Sequence, residues 1–278
     1  MLHKPVSGLA GIACLWLCAS LAVAQDFHVD TQIYDLKAPG KNGKRVAVGA
    51  AESLFHAGRV YDHNRGENVM TIFEPAHERI LVIDASRNLK TSIKFAEITD
   101  HLIDDRASLM SYLENAAKKG GSADTLAFYR FQLKPEFQVK FTPHEQSPTL
   151  VLTNPLVEYH VECAQARPEL VKAYLDYADW AARLSFISRR QAMMPDVRIA
   201  VNDELRKRNL LPVSVTLHTH TKTPKELHFR ADHKYGWQLN GLDKSTITHW
   251  DEKADSKNTK QVPWDKYLGP DSTAVSRK

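Results

Sequence analysis

The chain has 278 residues, of which 43% are hydrophobic and 25% are charged, and its formal net charge is +4. Because this charge is small and the basic residues are interleaved with acids, composition argues against a nucleic-acid partner. About 250 residues remain after the N-terminal segment described next, which is enough to bury a sizeable core.

The first 24 residues have the pattern of a secretory signal peptide. A single cation, Lys4, precedes an apolar run that ends in the A-x-A cleavage pattern at Ala22 and Ala24. Cleavage there leaves Gln25 as the first mature residue, whereas an uncleaved segment would act as an anchor. We expect cleavage, a periplasmic or secreted location, and no transmembrane segment in the mature chain.

Cysteine usage fits an exported protein that folds without disulfides. Cys14 and Cys18 lie in the signal segment, so Cys163 is expected to be the only mature cysteine. Stability must then come from the hydrophobic core.

The first part of the mature chain is predicted to be a β-meander. Apolar and polar residues alternate from Phe27 to Ile33 with the two-residue period of a half-buried strand. Further strand-like segments follow at short, regular intervals, which is typical of antiparallel hairpins. They cover residues 52–56, 59–62, 69–74, 79–85 and 90–95.

A helix is predicted next, over residues 96–119. Its apolar residues recur at intervals of three, four and seven, and Gly120 and Gly121 end it. Leu102, Leu109 and Leu113 belong to this apolar stripe.

The remaining chain is predicted to alternate again between strands and helices. A long helix begins at Pro168 and extends to about residue 187, with Tyr174 on its apolar side, and a shorter helix lies near residues 202–207. Strands are predicted at residues 128–133, 137–141, 149–153, 156–163, 213–221, 226–231, 235–239 and 246–250.

The predicted organisation is therefore a signal peptide at 1–24, one α+β domain at 25–250, and a C-terminal tail at 251–278. The tail is polar and rich in lysine, with Trp264 and Tyr267 as its only large anchors, so it is expected to be mostly disordered.

Two histidines on a predicted strand pose the question of a metal site. Residues that are two apart on a strand point the same way, so His218 and His220 could reach one ion, with a third ligand from His228, Asp232 or His233. The other interpretation is that these rings lie on the solvated face, since Val215 and Leu217 occupy the opposite phase. We favour this second interpretation and expect no metal or other cofactor.

Other candidate catalytic groups have simpler explanations. Cys163 is in phase with Val161 and is expected to be a core residue. Asp176 and Asp179 lie one turn apart, as on a solvated helix face, although paired carboxylates could also serve a glycosidase. The common catalytic signatures are absent from the sequence, so we expect no enzymatic activity.

The order of these elements resembles the half-barrel fold of periplasmic lipoprotein carriers. The resemblance rests on the hairpins of LFHAGRVYDHNRGENVMTIFEPAHERILVID at residues 54–84 and on the helix at 96–119. It covers about half of the mature chain and includes no diagnostic motif. The carriers begin with a helix, whereas this chain begins with a strand.

This resemblance implies a strongly curved, mainly antiparallel sheet with the two longer helices packed on its concave face. It also implies an apolar groove that holds an acyl chain or another hydrophobic ligand. The residues expected to line the groove are Leu102, Leu109, Leu113, Tyr174 and Trp180.

Three functional hypotheses follow. The first is an exported, non-enzymatic binding or scaffold protein of the cell envelope with a lipid or other hydrophobic ligand. The second is an envelope metalloenzyme or hydrolase that uses His218 and His220. The third is a structural interaction module that binds an envelope protein through the segment around Trp264 and Tyr267.

Overall fold

The computed structural model describes residues 26–38, 45–189, 193–221 and 226–269. The predicted signal peptide and residues 270–278 of the predicted tail lie outside the described residues.

The described strands form one sheet of twelve strands in the order β12-β6-β5-β4-β3-β2-β1-β11-β10-β9-β8-β7. All neighbours are antiparallel except β12 and β6, and the two end strands do not pair, so the sheet is open. The strands are β1 Phe27–Asp35, β2 Ala47–His56, β3 Arg59–Asn64, β4 Val69–Glu74, β5 Arg79–Asp84, β6 Leu89–Lys94, β7 Gln138–Thr142, β8 Thr149–Thr153, β9 Val157–Gln165, β10 Leu210–Thr219, β11 His228–Gly236 and β12 Lys260–Gln261.

Among the described residues, six α-helices accompany the sheet, which confirms the predicted α+β class. They are α1 Phe95–Lys118, α2 Ala123–Leu133, α3 Pro168–Arg189, α4 Pro195–Arg206, α5 Gly241–Asp255 and α6 Trp264–Leu268. The two long helices, α1 and α3, begin and end within two residues of their predicted bounds.

Both faces of the sheet bury apolar side chains in its first half. The larger core joins strand residues such as Val29, Phe55 and Ile93 to residues of the helices α2, α3 and α4. On the other face, a smaller core joins Tyr61 and Met70 to Ile247, Trp250 and other residues. The alternation of successive side chains between faces explains why neighbours such as Val60 and Tyr61 are both buried.

Short turns connect the strands of the meander β2 to β6, as the sequence predicts. Asn68 and Asn88 adopt positive φ angles of 49° and 51°, a left-handed conformation that asparagine tolerates better than most residues. The hairpins therefore close where the polar turn sequences lie.

Two predicted strands are helices instead. Residues 128–133 belong to α2, which begins after Ser122, whose hydroxyl accepts a hydrogen bond from the backbone N–H of Thr125. Residues 246–250 belong to α5, which begins after Asn240 with a capping box formed with Asp243. Both segments are short, and their apolar residues fit the spacing of a strand as well as that of a helix. The N-terminal caps favour the helix.

The predicted disordered tail is wrong for residues 251–269. Residues 251–255 complete α5, Lys260 and Gln261 pair with β6, and α6 buries Trp264 and Tyr267 in the larger core. The guanidinium of Arg87 also lies 4.3 Å from the centre of the Tyr267 ring. Because both rings are buried, they are not free to serve as the docking anchors of the third hypothesis.

Two details of the last meander also differ from prediction. The predicted strands at 226–231 and 235–239 are one strand, β11. The pairing of β10 with β9 shifts between Pro212 and Ser214, so Val213 is 37% exposed while Ser214 is buried. Such a bulge reverses the faces of the side chains that the simple alternation assigns.

Replacing Trp264 by alanine should destabilise the protein by about 3 kcal/mol, because the change leaves a cavity in the core. The matched control, Trp237→Ala, removes an indole that is 53% exposed and stacked on Tyr235, and should cost no more than about 1.5 kcal/mol. Urea denaturation measures both free energies of unfolding. Equal values would contradict the burial of the C-terminal helix.

Candidate functional site

A cavity of about 300 Å³ lies between α3 and the strands β2 to β4. Its wall is mainly aromatic and aliphatic, and charged side chains also border it. The apolar lining includes Phe55, Val60, Phe73, Phe95, Tyr177 and Trp180.

The sheet register brings the apolar wall together. Phe55 pairs with Val60 across β2 and β3, and Val60 pairs with Phe73 across β3 and β4, so all three face α3. On α3, Tyr177 and Trp180 are one turn apart and complete the opposite wall.

Ring contacts hold these walls in place. Tyr177 meets Phe55 and Phe73 edge to face, with ring centres 5.5 and 4.9 Å apart. Trp180 stacks on Phe95 at 3.8 Å. Contacts of this kind stabilise aromatic pairs beyond simple burial, so the wall is pre-formed.

A second cavity of about 390 Å³ lies among α1, α3 and α4. Leu102 and Ile103 of α1 and Ile199 of α4 contribute its apolar lining. Trp180 and Arg183 line both cavities and therefore lie between them.

The charged residues around the first cavity are almost all paired. Arg206 binds the carboxylates of both Asp176 and Asp179, and the side-chain amide of Asn202 donates to Asp179 at 2.6 Å. Asp179 is buried, so the pair is not the freely solvated helix face that the sequence suggests. Because cations outside the cavity neutralise both carboxylates, neither resembles a free general base.

The structure places the five predicted groove residues in different positions relative to the two cavities. Trp180 lines both cavities, and Leu102 lines the second. Tyr174 is buried behind the first cavity, against Phe55 and Tyr177. Leu109 and Leu113 line neither of the two cavities, and Leu113 is buried.

A polar network lies beside the first cavity. The Ser53 hydroxyl donates to Asp62 at 2.7 Å and lies 3.1 Å from the Tyr177 hydroxyl. Burial raises the pKa of Asp62, and burial together with the Asp62 charge raises the pKa of Tyr177 well above its usual value. The serine has no histidine beside it in this network, so the arrangement lacks the base that a serine nucleophile needs.

His233 is held as a neutral imidazole beside Tyr174. Its Nδ1 lies 2.9 Å from the Thr31 hydroxyl, and the Tyr174 ring packs on it edge to face. Burial, reinforced by the charge of Arg198 and opposed by Asp232, lowers the pKa of His233 to about 3.

The three histidines of the metal hypothesis lie together at the end of the β10–β11 hairpin. The ring of His218 lies 4.2 Å from that of His220 and 4.4 Å from that of His228. Carboxylates engage two of the rings, with Glu226 2.8 Å from His218 and Glu158 3.5 Å from His220.

In the parts of the chain that the structure describes, no group of three or more His, Cys, Asp or Glu side chains is arranged to hold a metal ion. Lys222, the neighbouring cation in the sequence, lies outside the described residues. Carboxylates therefore lie beside two of the three rings, and His218 and His228 face each other across the paired strands.

The sequence does not point to Phe55, Phe73 or Arg183 as site residues. The two phenylalanines are far apart in the chain and meet only through the register of the meander. Arg183 carries no sequence signal beyond its place on α3, three residues after Trp180.

Comparisons with known proteins add no assignment. No family model matches the chain, and no curated protein is significantly similar to it. Over the described residues, none of the helices combines the length and the apolar character needed to span a membrane.

Stability should fall on acidification because of His233. Below about pH 6.5 the imidazole of the unfolded chain takes up a proton, whereas the folded one stays neutral down to about pH 3. Between these values, wild type should lose up to about 1.4 kcal/mol more per pH unit than His233→Gln. Urea denaturation from pH 7 to pH 4 measures this, with His160→Gln, an exposed position, as the control. Parallel pH profiles for wild type and His233→Gln would contradict a neutral imidazole in the folded state.

Cys163 should resist alkylation in the folded protein. The thiol is buried, and burial raises its pKa to about 12. Iodoacetamide at pH 7.5 should label Cys163 at least about a hundredfold more slowly in the native protein than in urea. In the native protein little of the thiol is ionised, and the reagent cannot reach the buried sulfur. Mass spectrometry of the peptide that contains Cys163 follows the rate. Fast, saturable labelling of the native thiol would instead indicate a nucleophile.

Proposed function

We propose that this protein is an exported, non-enzymatic binding or scaffold protein of the cell envelope that holds an apolar ligand, such as an acyl chain, between its sheet and its helices. The observation that carries the proposal is the pre-formed aromatic cavity between α3 and the strands β2 to β4. Its volume of about 300 Å³, and that of the adjoining cavity, about 390 Å³, lie in the range of small-molecule sites.

The packing of α1 supports a ligand that enters from the second cavity. This helix has 24 residues but fully buries only Ile98 and Leu113. Ile103 and Met110 are 59% and 52% exposed. In this proposal an outward movement of the middle of α1 opens the second cavity, and the movement has to separate Arg106 from Asp196.

The chemistry of the cavity suits non-covalent binding. Aromatic faces fit a chain of methylene groups without directional demands, and the nearby carboxylates are already bound to cations. In this proposal the open sheet curves around α1 and α3, as in the half-barrel of the lipoprotein carriers that the sequence resembles. The exported location rests on the signal pattern of residues 1–24.

Adding bulk to the lining of the first cavity should weaken ligand binding. Ala173 lines this cavity from an exposed position on α3, so Ala173→Trp adds bulk beside the cavity without removing a buried side chain. The neutral apolar probe N-phenyl-1-naphthylamine should bind the wild-type protein, and Ala173→Trp should weaken this binding by about tenfold or more. Ala127→Trp, at an exposed position of α2 outside the cavity, is the matched control and should bind as wild type does.

Two further readouts separate this proposal from its alternatives. Mass spectrometry of an organic extract of the purified protein should detect a co-purified apolar molecule that is depleted in Ala173→Trp. A protein without such a molecule that also fails to bind the probe would favour the structural interaction module. One zinc or iron ion per chain that is lost in His220→Ala would favour the metalloenzyme.

A further inference from the structure

We infer that the ligand of the two cavities is an amphiphile with an anionic head group, bound by Arg183. This inference rests on the proposed function, because it specifies the chemical class of the ligand in the same site. It depends on one difference: the other acidic and basic side chains that line the two cavities are paired, and Arg183 is not.

Each of the other Arg, Asp and His side chains that line the first cavity lies beside a side chain that can carry the opposite charge. Arg59 lies 3.4 Å from Glu74 and 3.3 Å from Asp251. The ring of His56 lies 3.0 Å from the carboxylate of Asp26. Asp176 and Asp179 both bind Arg206, as described above.

In the second cavity, too, the charged side chains other than Arg183 are paired. Arg106 binds Asp196 at 2.6 Å and also donates to the carbonyl oxygen of Leu133 at 3.1 Å. Arg106, Asp196 and Arg183 are the charged side chains in the lining of this cavity.

Arg183 is the exception in both cavities. Within the described part of the chain, no carboxylate lies within ion-pair distance of its guanidinium, whose recorded contact is with the face of Trp180 at 4.7 Å. Asp179 lies one helical turn earlier on α3, but Asn202 and Arg206 engage its carboxylate. A partly buried guanidinium that keeps its donors free is suited to a planar anion, because its N–H groups form a fork that matches carboxylate or phosphate oxygens.

The position of Arg183 sets the orientation of such a ligand. Trp180 and Arg183 together separate the two cavities, and both cavities have apolar linings. An anionic head group at Arg183 can therefore direct its alkyl chain into either cavity. Trp180 stacks on Phe95, and this contact holds the indole ring beside the space that the alkyl chain would occupy.

The test compares ten-carbon chains that differ only in the head group. Displacement of N-phenyl-1-naphthylamine gives the affinities of decanoate, decyl phosphate and the neutral decan-1-ol. Wild type should bind at least one of the two anions about tenfold or more tightly than the alcohol, because a hydrogen-bonded charge pair is worth that factor. The preferred anion then identifies the head group as carboxylate or phosphate.

Substitution of Arg183 should remove the preference for anions over the alcohol. In Arg183→Gln the ratio of the two affinities should fall from about tenfold to about one, and Arg183→Lys should retain part of the preference. The matched control is Arg130→Gln, at an exposed position of α2 away from both cavities, and it should behave as wild type.

Two contrary outcomes are distinguishable. If wild type binds the alcohol as tightly as the anions, or if Arg183→Gln keeps the anion preference, the role of Arg183 is wrong while the apolar site stands. If wild type binds neither the probe nor any of the three chains, the proposed function fails, and this inference fails with it.

Discussion

The packing of α3 across the strands β2 to β4 is the constraint on which the rest of the structure depends. Phe55 of β2 and Phe73 of β4 reach the same face only because the hairpin register is maintained from one strand to the next. Tyr177 fills the space between Phe55 and Phe73. Since α3 also carries the wall that separates the two cavities, any shift of this helix would change both of them together.

Polar groups on this face pair with one another beside the first cavity. Ser53, Asp62 and the hydroxyl of Tyr177 satisfy one another, and His233 lies against Thr31 and Tyr174 further along the sheet. A buried polar group without a partner destabilises the folded state, so these contacts stabilise the packing of α3 on the sheet. The space that remains is bounded by aromatic rings, which is the chemistry expected of an apolar site.

Much of the sheet can be predicted from the sequence because its signals are local. The meander from β2 to β6 shows a two-residue period, and residues with positive φ occupy its turns. The helices α2 and α5 are not predicted, because their apolar segments are short and the caps at Ser122 and Asn240 decide between strand and helix. The ordered C-terminus is also missed, since a two-residue strand and a five-residue helix carry too few residues for a periodic signal.

The candidate site is predictable only where helices contribute to it. Trp180 and Leu102 belong to helical segments that sequence patterns identify, and both line cavities. The strand residues Phe55 and Phe73 become neighbours of the same helix only through long-range register. Arg183 stands out because the neighbouring charged side chains are paired and it is not. These pairs form between residues that are distant in the chain, so the sequence alone does not predict them.

Charge pairing also distinguishes the histidines of the β10–β11 hairpin from Arg183. At the β10–β11 hairpin, Glu226 lies 2.8 Å from the ring of His218 and 2.7 Å from the ammonium group of Lys37. Lys37 and, after it, His218 lower the pKa of Glu226 to about 2, so the carboxylate stays charged and engaged. His218 and His220 are therefore each matched by a carboxylate of the protein. Arg183 lies between two apolar cavities without such a partner, and for this reason the head group of the proposed ligand is placed beside Trp180.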